Sequence, residues 1–322
     1  EATVFPSSSP YRVGSRAPPT LDSDGDGVTD RAEIAAGTNP SSLDTDFDGL
    51  LDGATIEVET GSPEAANYTN AGILVLRDDG TLIQFAGERE FGTNASTPDS
   101  DGDGLLDGAN VTAPAGSDAA NVFESFGIAP FQNDLYLGEY DFGADPRAAD
   151  TDEDGLNDRQ EVTGEDTNYG NSAFFPGLDG STNPNNEDTD GDGLTDGEEQ
   201  QGVANVDGSP VSFDPTNPNG RDTDQDGLTD LEEVRGIQVD SDGTERTFPP
   251  SNPAVADSDG DGFDDGLEVA AGSDPTDPGS VPNEGGEEDP AGGAEASYLW
   301  LSTVAMLVVG LLCVVGILVR WG

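Results

Sequence analysis

Apolar residues in this chain follow three patterns. One set falls singly or as a leucine pair among polar neighbours, one after each of seven aspartate-rich runs, at Val28, Leu50, Leu105, Leu156, Leu194, Leu228 and Phe263. A second set suits pleated strands: 55–60 alternates, and Ile73-Leu74-Val75-Leu76 and Thr81-Leu82-Ile83-Gln84-Phe85 flank Arg77-Asp78-Asp79-Gly80, which predicts a β-hairpin. Further hairpins are predicted from Val203 to Phe213 and from Ile237 to Phe248, turning at Asp207-Gly208 and Asp242-Gly243. The third pattern is unbroken. Residues 298–319 carry no charge, enough at about 1.5 Å per residue to cross roughly 30 Å of hydrocarbon. A transmembrane helix is predicted there, with Trp300 and Trp321 near its ends and Arg320 placing the tail 320–322 in the cytoplasm and the rest outside.

The aspartate-rich runs share one spelling, Asp-x-Asp-x-Asp-Gly-x-x-Asp. In the first, Asp22, Asp24 and Asp26 hold positions 1, 3 and 5, where alternate carboxylates converge as the backbone curls. Gly27 at position 6 permits the turn, Val28 offers its carbonyl at position 7, Asp30 at position 9 binds directly or through water, and Glu33 at position 12 closes the shell. Six to eight oxygen ligands suit Ca²⁺ and do not suit zinc.

The same set recurs as Asp150, Asp152, Asp154, Leu156, Asp158 and Glu161, as Asp188, Asp190, Asp192, Leu194, Asp196 and Glu199, and as Asp222, Asp224, Asp226, Leu228, Asp230 and Glu233. The last copy is Asp257, Asp259, Asp261, Phe263, Asp265 and Glu268. Copies two (Asp44, Asp46, Asp48, Leu50, Asp52) and three (Asp99, Asp101, Asp103, Leu105, Asp107) carry Thr55 and Asn110 at position 12, so those sites are expected to be weaker or completed from elsewhere. At least seven ions are expected.

Helix-breaking Pro, Asn, Ser and Thr precede every loop, so the incoming helix of a full EF-hand is missing. After the loops, Asp30 to Ala36 and Asp230 to Arg235 read as short helices stopped by Gly37 and Gly236; Gly164, Gly202 and Gly272 punctuate their copies similarly. An Asn or Asp falls five residues before the first loop aspartate in copies two to seven (Asn39, Asn94, Asp145, Asn183, Asn217, Asn252), as a ligand to a neighbouring ion or as a turn-forming residue.

The combined pattern Asn-Pro-x-x-x-Asp-x-Asp-x-Asp-Gly-x-x-Asp, at 183–196 and 217–230, resembles the thrombospondin type 3 repeat and its prokaryotic relatives over roughly residues 20–277. The resemblance implies consecutive loops wrapped around a line of calcium ions, with the ions replacing most of the hydrophobic core. The disulfides of the animal repeats have no counterpart here.

Composition agrees with an ion-built array. Hydrophobic residues make up 33% of the 322, with 44 Gly and 22 Pro, too little to bury a large core. Calcium removal is therefore expected to unfold the repeats. The net charge of −56 is self-repulsive at ordinary ionic strength and tolerable in molar salt, where the Debye length falls to about 3 Å. Every basic residue is Arg. A haloarchaeal surface protein is expected, and nucleic-acid binding is excluded.

The expected fold class is a mostly irregular calcium-stabilised repeat array of half EF-hand-like loops with short helices, small β-hairpin insertions and one C-terminal transmembrane helix. Its parts are an N-terminal extension (1–20), repeats one and two (21–52), a β-rich insertion region containing repeat three (53–149, the loop at 99–110), and repeats four to seven (150–277). An acidic Gly/Pro-rich tether (278–297), the membrane span and the tail follow. The start at Glu1 without a hydrophobic leader is read as a mature form after signal removal. Sequons at Asn67, Asn94 and Asn110 agree with export, and the sole cysteine, Cys313, lies in the span, leaving no intramolecular disulfide.

With no histidine and no lysine, imidazole-based catalysis and lysine-tipped phosphate loops are excluded, and no enzyme is expected. The expected function is a membrane-anchored extracellular calcium-binding stalk, adhesin or surface component. The alternatives are a calcium sensor or buffer, or a subunit of a self-assembling layer or filament. The insertions serve either as the recognition surface for a protein or glycan partner or as spacers, and the apolar span is either a lasting anchor or a sorting signal cleaved after export.

Overall fold

Two residues in each loop take the left-handed conformation, and that bends the aspartates into an arc. In a computed structural model of the chain, which describes residues 20–164, 175, 178, 180–241 and 244–282, position 6 is glycine in all seven copies, with φ between 90° at Gly27 and 108° at Gly193. Position 4 is glycine in four copies and Phe47, Glu153 and Gln225 in the others, at φ 69°, 64° and 66°. In five copies the position-1 carboxylate holds the bend by accepting the N–H groups of positions 4 and 6: Gly25 and Gly27 donate to Asp22 at 2.8 and 3.2 Å, and Gly260 and Gly262 to Asp257 at 2.8 and 2.9 Å.

Each loop of repeats one, four, five, six and seven runs straight into a helix: α1 (Asp30–Ala36), α5 (Asp158–Thr163), α6 (Asp196–Gln201), α7 (Asp230–Arg235) and α8 (Asp265–Ala271). Asn157, Thr195 and Thr229 cap their helices with full capping boxes. Gly37, Gly164, Gly202, Gly236 and Gly272 end them at positive φ, as the sequence predicts.

Repeats two and three leave the loop differently. After Asp52 come β1 (Ile56–Glu59), α2 (Pro63–Ala71), β2 (Val75–Asp78) and β3 (Leu82–Phe85), followed by α3 (Glu88–Phe91). After Asp107 come β4 (Val111–Thr112), α4 (Asp118–Phe126) and β5 (Leu135–Tyr136), followed by a 3₁₀ turn at Glu139–Asp141. The strand orders are β1-β3-β2 and β4-β5, all antiparallel. The predicted strand at 55–60 and hairpin at 73–85 are present, the latter turning at 79–81. Helices α2 and α4 were not expected: the region predicted as one β-rich insertion is two α/β inserts, one in each repeat. Their N-caps, Ser62 and Ser117, fix them by accepting the N–H of Ala65 and Ala120 at 3.0 and 3.2 Å.

The two inserts are versions of one module. Aligned at their N-caps, they end at Gly72 and Gly127, and they bury Ala65 with Ala120, Tyr68 with Phe123 and Ile73 with Ile128. A tilted aromatic pair fills each core, Tyr68 with Phe85 at 5.1 Å and Phe123 with Tyr136 at 4.6 Å. Parallel bridges Leu51 to Gly87 and Leu106 to Gly138 return each insert to its loop. Each helix also leans on the preceding repeat at loop position 4. Tyr68 donates its hydroxyl to the Gly25 carbonyl at 2.7 Å, and Phe47 packs on the Phe123 cluster. That contact explains an aromatic residue at positive φ.

The predicted later hairpins are β6 (Val203–Val206) with β7 (Ser209–Ser212), and β8 (Gln238–Ser241) with β9 (Thr244–Thr247). The first turns at Asp207-Gly208, both at positive φ; the turn 242–243 lies outside the described residues. Small apolar clusters join successive repeats: Leu105 meets Val162, Leu194 meets Val234, and Leu228 meets Val269. In each pair a position-7 residue of one loop packs with the residue after the closing Glu of the next repeat.

The chain divides into two units, 1–281 and 282–322. Among the described residues no helix is long and apolar enough to cross a membrane. The predicted span 298–319, with Trp300, Cys313, Arg320 and Trp321, most of the tether and nearly all of the N-terminal extension lie outside the described residues.

Candidate metal centres shared between repeats

Within each loop the three convergent aspartates do different work. Position 1 is spent on the backbone, except that Asp150 keeps one oxygen buried without a partner. Position 5 accepts the position-7 N–H through one oxygen, from 2.7 Å at Val28 to Asp26 up to 3.0 Å at Phe263 to Asp261. Position 3 keeps its second oxygen buried with no hydrogen-bond partner in all seven copies, at Asp24, Asp46, Asp101, Asp152, Asp190, Asp224 and Asp259. The carboxylates of Asp22, Asp24 and Asp26, of Asp44, Asp46 and Asp48, and of Asp99, Asp101 and Asp103 each bring oxygens within 4.8 Å of one another. The position-7 residues Leu50, Leu105, Leu156, Leu194 and Leu228 bury their side chains under the loop, while Val28 and Phe263 are half-buried.

Position 9 departs from the expectation. Instead of closing its own loop, its carboxylate is oriented by position 2: Ser23 donates its N–H and hydroxyl to Asp30 at 2.9 Å each, and Thr151 repeats this on Asp158 at 2.8 and 2.7 Å. So held, from the second repeat on it meets the repeat before. Asp52 forms a group with Asp26 and Glu33, and Asp107 one with Asp48 and Glu88, again within 4.8 Å. The backbone follows: N–H groups of Arg159, Gly197, Leu231 and Gly266, the residues after position 9, donate to the position-5 carboxylates Asp103, Asp154, Asp192 and Asp226 of the preceding repeats at 2.8, 2.7, 3.1 and 2.6 Å.

Glu88 and Glu139 are the missing position-12 groups of copies two and three. Both are buried, at 3% and 1% exposure, against 0% for Glu33, Glu161, Glu199 and Glu233. Thr55 and Asn110, which occupy position 12 in sequence, do not enter the acidic group. They splice the inserts in place by accepting the N–H of Gly87 at 3.3 Å and of Gly138 at 2.8 Å. The insert thus lies between loop positions 11 and 12. A signal for this was present: Glu88 and Glu139 stand four residues before a glycine and six before Asn94 and Asp145, as Glu33 stands before Gly37 and Asn39. The register survives every insertion, because the carbonyl of each closing Glu accepts the N–H of the residue preceding the linker Asn or Asp. Those donors are Thr38, Thr93, Ala144, Thr182, Thr216, Ser251 and Ser273, at 2.9 to 3.3 Å.

The linker Asn and Asp side chains resolve as turn formers. Asn39, Asp145, Asn183, Asn217 and Asn252 accept the N–H two residues on at 3.2 to 3.3 Å, and Asn94 accepts the Ser96 hydroxyl at 3.0 Å.

Burial among like charges pushes the closing carboxyls far up. For Glu33, Glu161, Glu199 and Glu233 burial is the largest cause and the loop aspartates come next, raising them to about 9, 10, 10 and 9; Glu139 rises to about 11 and Glu88 to about 8. Glu268, with no eighth loop beyond it, is pushed only to about 7. Both oxygens of Glu33, Glu139 and Glu268, and one of each other closing Glu, are buried without a donor. Buried carboxylate oxygens in this number need cations, and a donor set made of oxygen without imidazole or thiolate fits a hard ion such as Ca²⁺. Positions 3, 5 and 12 with the next repeat's position 9 would hold it, and the ion would supply charge neutralisation and a cross-link between repeats.

The family model of the bacterial TSP3 repeat matches residues 22–42, 99–113, 150–168, 188–201, 222–235 and 257–278; the loop starting at Asp44 falls outside these segments. No curated protein and no solved structure matches the chain. At six places, then, this chain carries bacterial TSP3 repeats, a calcium-binding type of repeat.

Proposed function

We propose that the chain is a non-enzymatic, calcium-stiffened stalk that displays two α/β inserts from a cell surface, held there by the apolar segment 298–319. The observation that carries the reading is the sharing of acidic groups across repeat boundaries, as in Asp26, Glu33 and Asp52. A cation bound there ties one repeat to the next, so loading sets the stiffness of the whole array. Extracellular loops of this kind bind in the range of about 10⁻⁴ to 10⁻³ M, which suits permanent loading in brine over signalling. The acidic, lysine-free composition supports a high-salt exterior setting, and the inserts offer the surfaces for a protein or glycan partner. Calcium titration of the full chain in molar salt, following bound ion and hydrodynamic radius together, tests the proposal. Saturable binding of at least about seven ions with a change in shape supports it. Binding with no change in shape refutes the stalk.

A further inference from the structure

The two ends of the array are complementary in the way that internal junctions are. At the two junctions where the residue after position 9 carries a side chain, it lies over the position-6 glycine of the preceding loop: Leu231 over Gly193, and Arg159 over Gly104, where a Cβ would come 3.0 Å from it and whose carbonyl accepts its guanidinium at 2.9 Å. Its peptide N–H donates to Asp103. The residue after the closing Glu, Val162, is fully buried in the cluster that holds Leu105.

Repeat one carries the upper half of this contact with nothing beneath it among the described residues. Arg31 stands where Arg159 does and is exposed. Ile34, the counterpart of Val162, is 48% exposed. Repeat seven carries the lower half. Gly262, the counterpart of Gly104, has open space over its Cβ position, and Phe263, the counterpart of Leu105, is half-exposed. Asp261 Oδ2, whose equivalents in repeats three to six accept a following N–H, is buried with no partner, and so are both Glu268 oxygens. We infer that a second copy of this chain docks head to tail, with Arg31 and Ile34 of one copy over Gly262 and Phe263 of the next and Asp30 completing the Glu268 cation site. Such an interface is heterologous and does not close, so it builds a filament. The inference rests on the calcium reading above, because that ion belongs to the junction.

The test uses the full chain in nonionic detergent, which occupies 298–319, by sedimentation velocity in molar salt with calcium or chelator, measuring bound calcium on the same samples. Wild type forms a calcium-dependent ladder of oligomers. A head-blocked variant, Arg31→Glu with Ile34→Asp, stays monomeric while binding calcium, and added in excess to wild type it caps the free heads and shortens the ladder. Arg31 and Ile34 are exposed, so the head-blocked chain keeps its fold. Calcium-loaded monomers at every concentration, as when the chain's own flanking segments cover the ends, overturn the inference and leave the calcium reading intact. Oligomers that persist in the head-blocked variant also overturn it. A chain that binds no calcium overturns both.

Discussion

Glu88 and Asp107 sit in different repeats, yet their carboxylate oxygens lie within 4.8 Å of each other and of Asp48. An insert separates Glu88 from the loop it completes, and the position-9 side chain of the next repeat reaches back to it. The repeating unit of this protein is therefore a junction: a loop, its closing glutamate from wherever the chain supplies it, and one aspartate from the following repeat.

Glu88→Gln and Glu139→Gln are expected to lower bound calcium by about one ion each, as Glu199→Gln does, because each removes a charged ligand from a buried acidic group. Thr55→Val and Asn110→Gln should leave the count unchanged, since these side chains hold insert backbone. Equilibrium dialysis against a calcium buffer reads the difference.

Close approach at the junctions makes some glycines irreplaceable for a reason unrelated to φ. A Cβ on Gly53 would stand 2.3 Å from the Asp26 carbonyl oxygen, and one on Gly197 2.4 Å from that of Asp154. Gly53→Ala and Gly197→Ala should each cost roughly 1–3 kcal/mol by overpacking. Both should split the chelator-induced unfolding curve at the affected boundary, whereas Gly208→Ala, at a hairpin tip with open space around it, should leave the curve in one piece.

Without calcium, acidity should replace the ion. Glu33 and Glu199 keep a proton up to about 9 and 10 in the folded array and lose it near 4.5 when unfolded, so the unfolded chain binds fewer protons between those values. Stability of the calcium-free array is then fully present below about 4.5 and is lost as pH rises toward 10. Circular dichroism of the chelated chain should show structure at pH 4 that melts out on alkalinisation. Calcium affinity should climb over the same window as binding displaces protons.

Phe123 fills the core of the second insert beside Tyr136, with no exposed surface. Phe123→Ala should cost about 3–5 kcal/mol locally. Amide exchange should rise over residues 111–136 while the four C-terminal repeats stay protected.

The loops, their glycines, the short helices and three of the hairpins were legible because each is dictated by residues adjacent in sequence. Gly27 at position 6 and Gly37 after α1 announce themselves. Position 9 was assigned to its own loop because the spelling of one copy contains no sign of its neighbour; only stacking brings Asp52 against Glu33. The stretch of α2 buries only Ala65 and Tyr68, too few for a visible stripe, whereas α4 carries one in Ala119, Val122, Phe123 and Phe126; in both the Ser caps are the signal that marks the start.

The most direct test is anomalous diffraction from crystals grown in calcium, or with terbium in its place. The account predicts ions at Glu88 and Glu139, each also bound by aspartates of two consecutive repeats. Ions held wholly within single loops, with Glu88 and Glu139 bare, would contradict it.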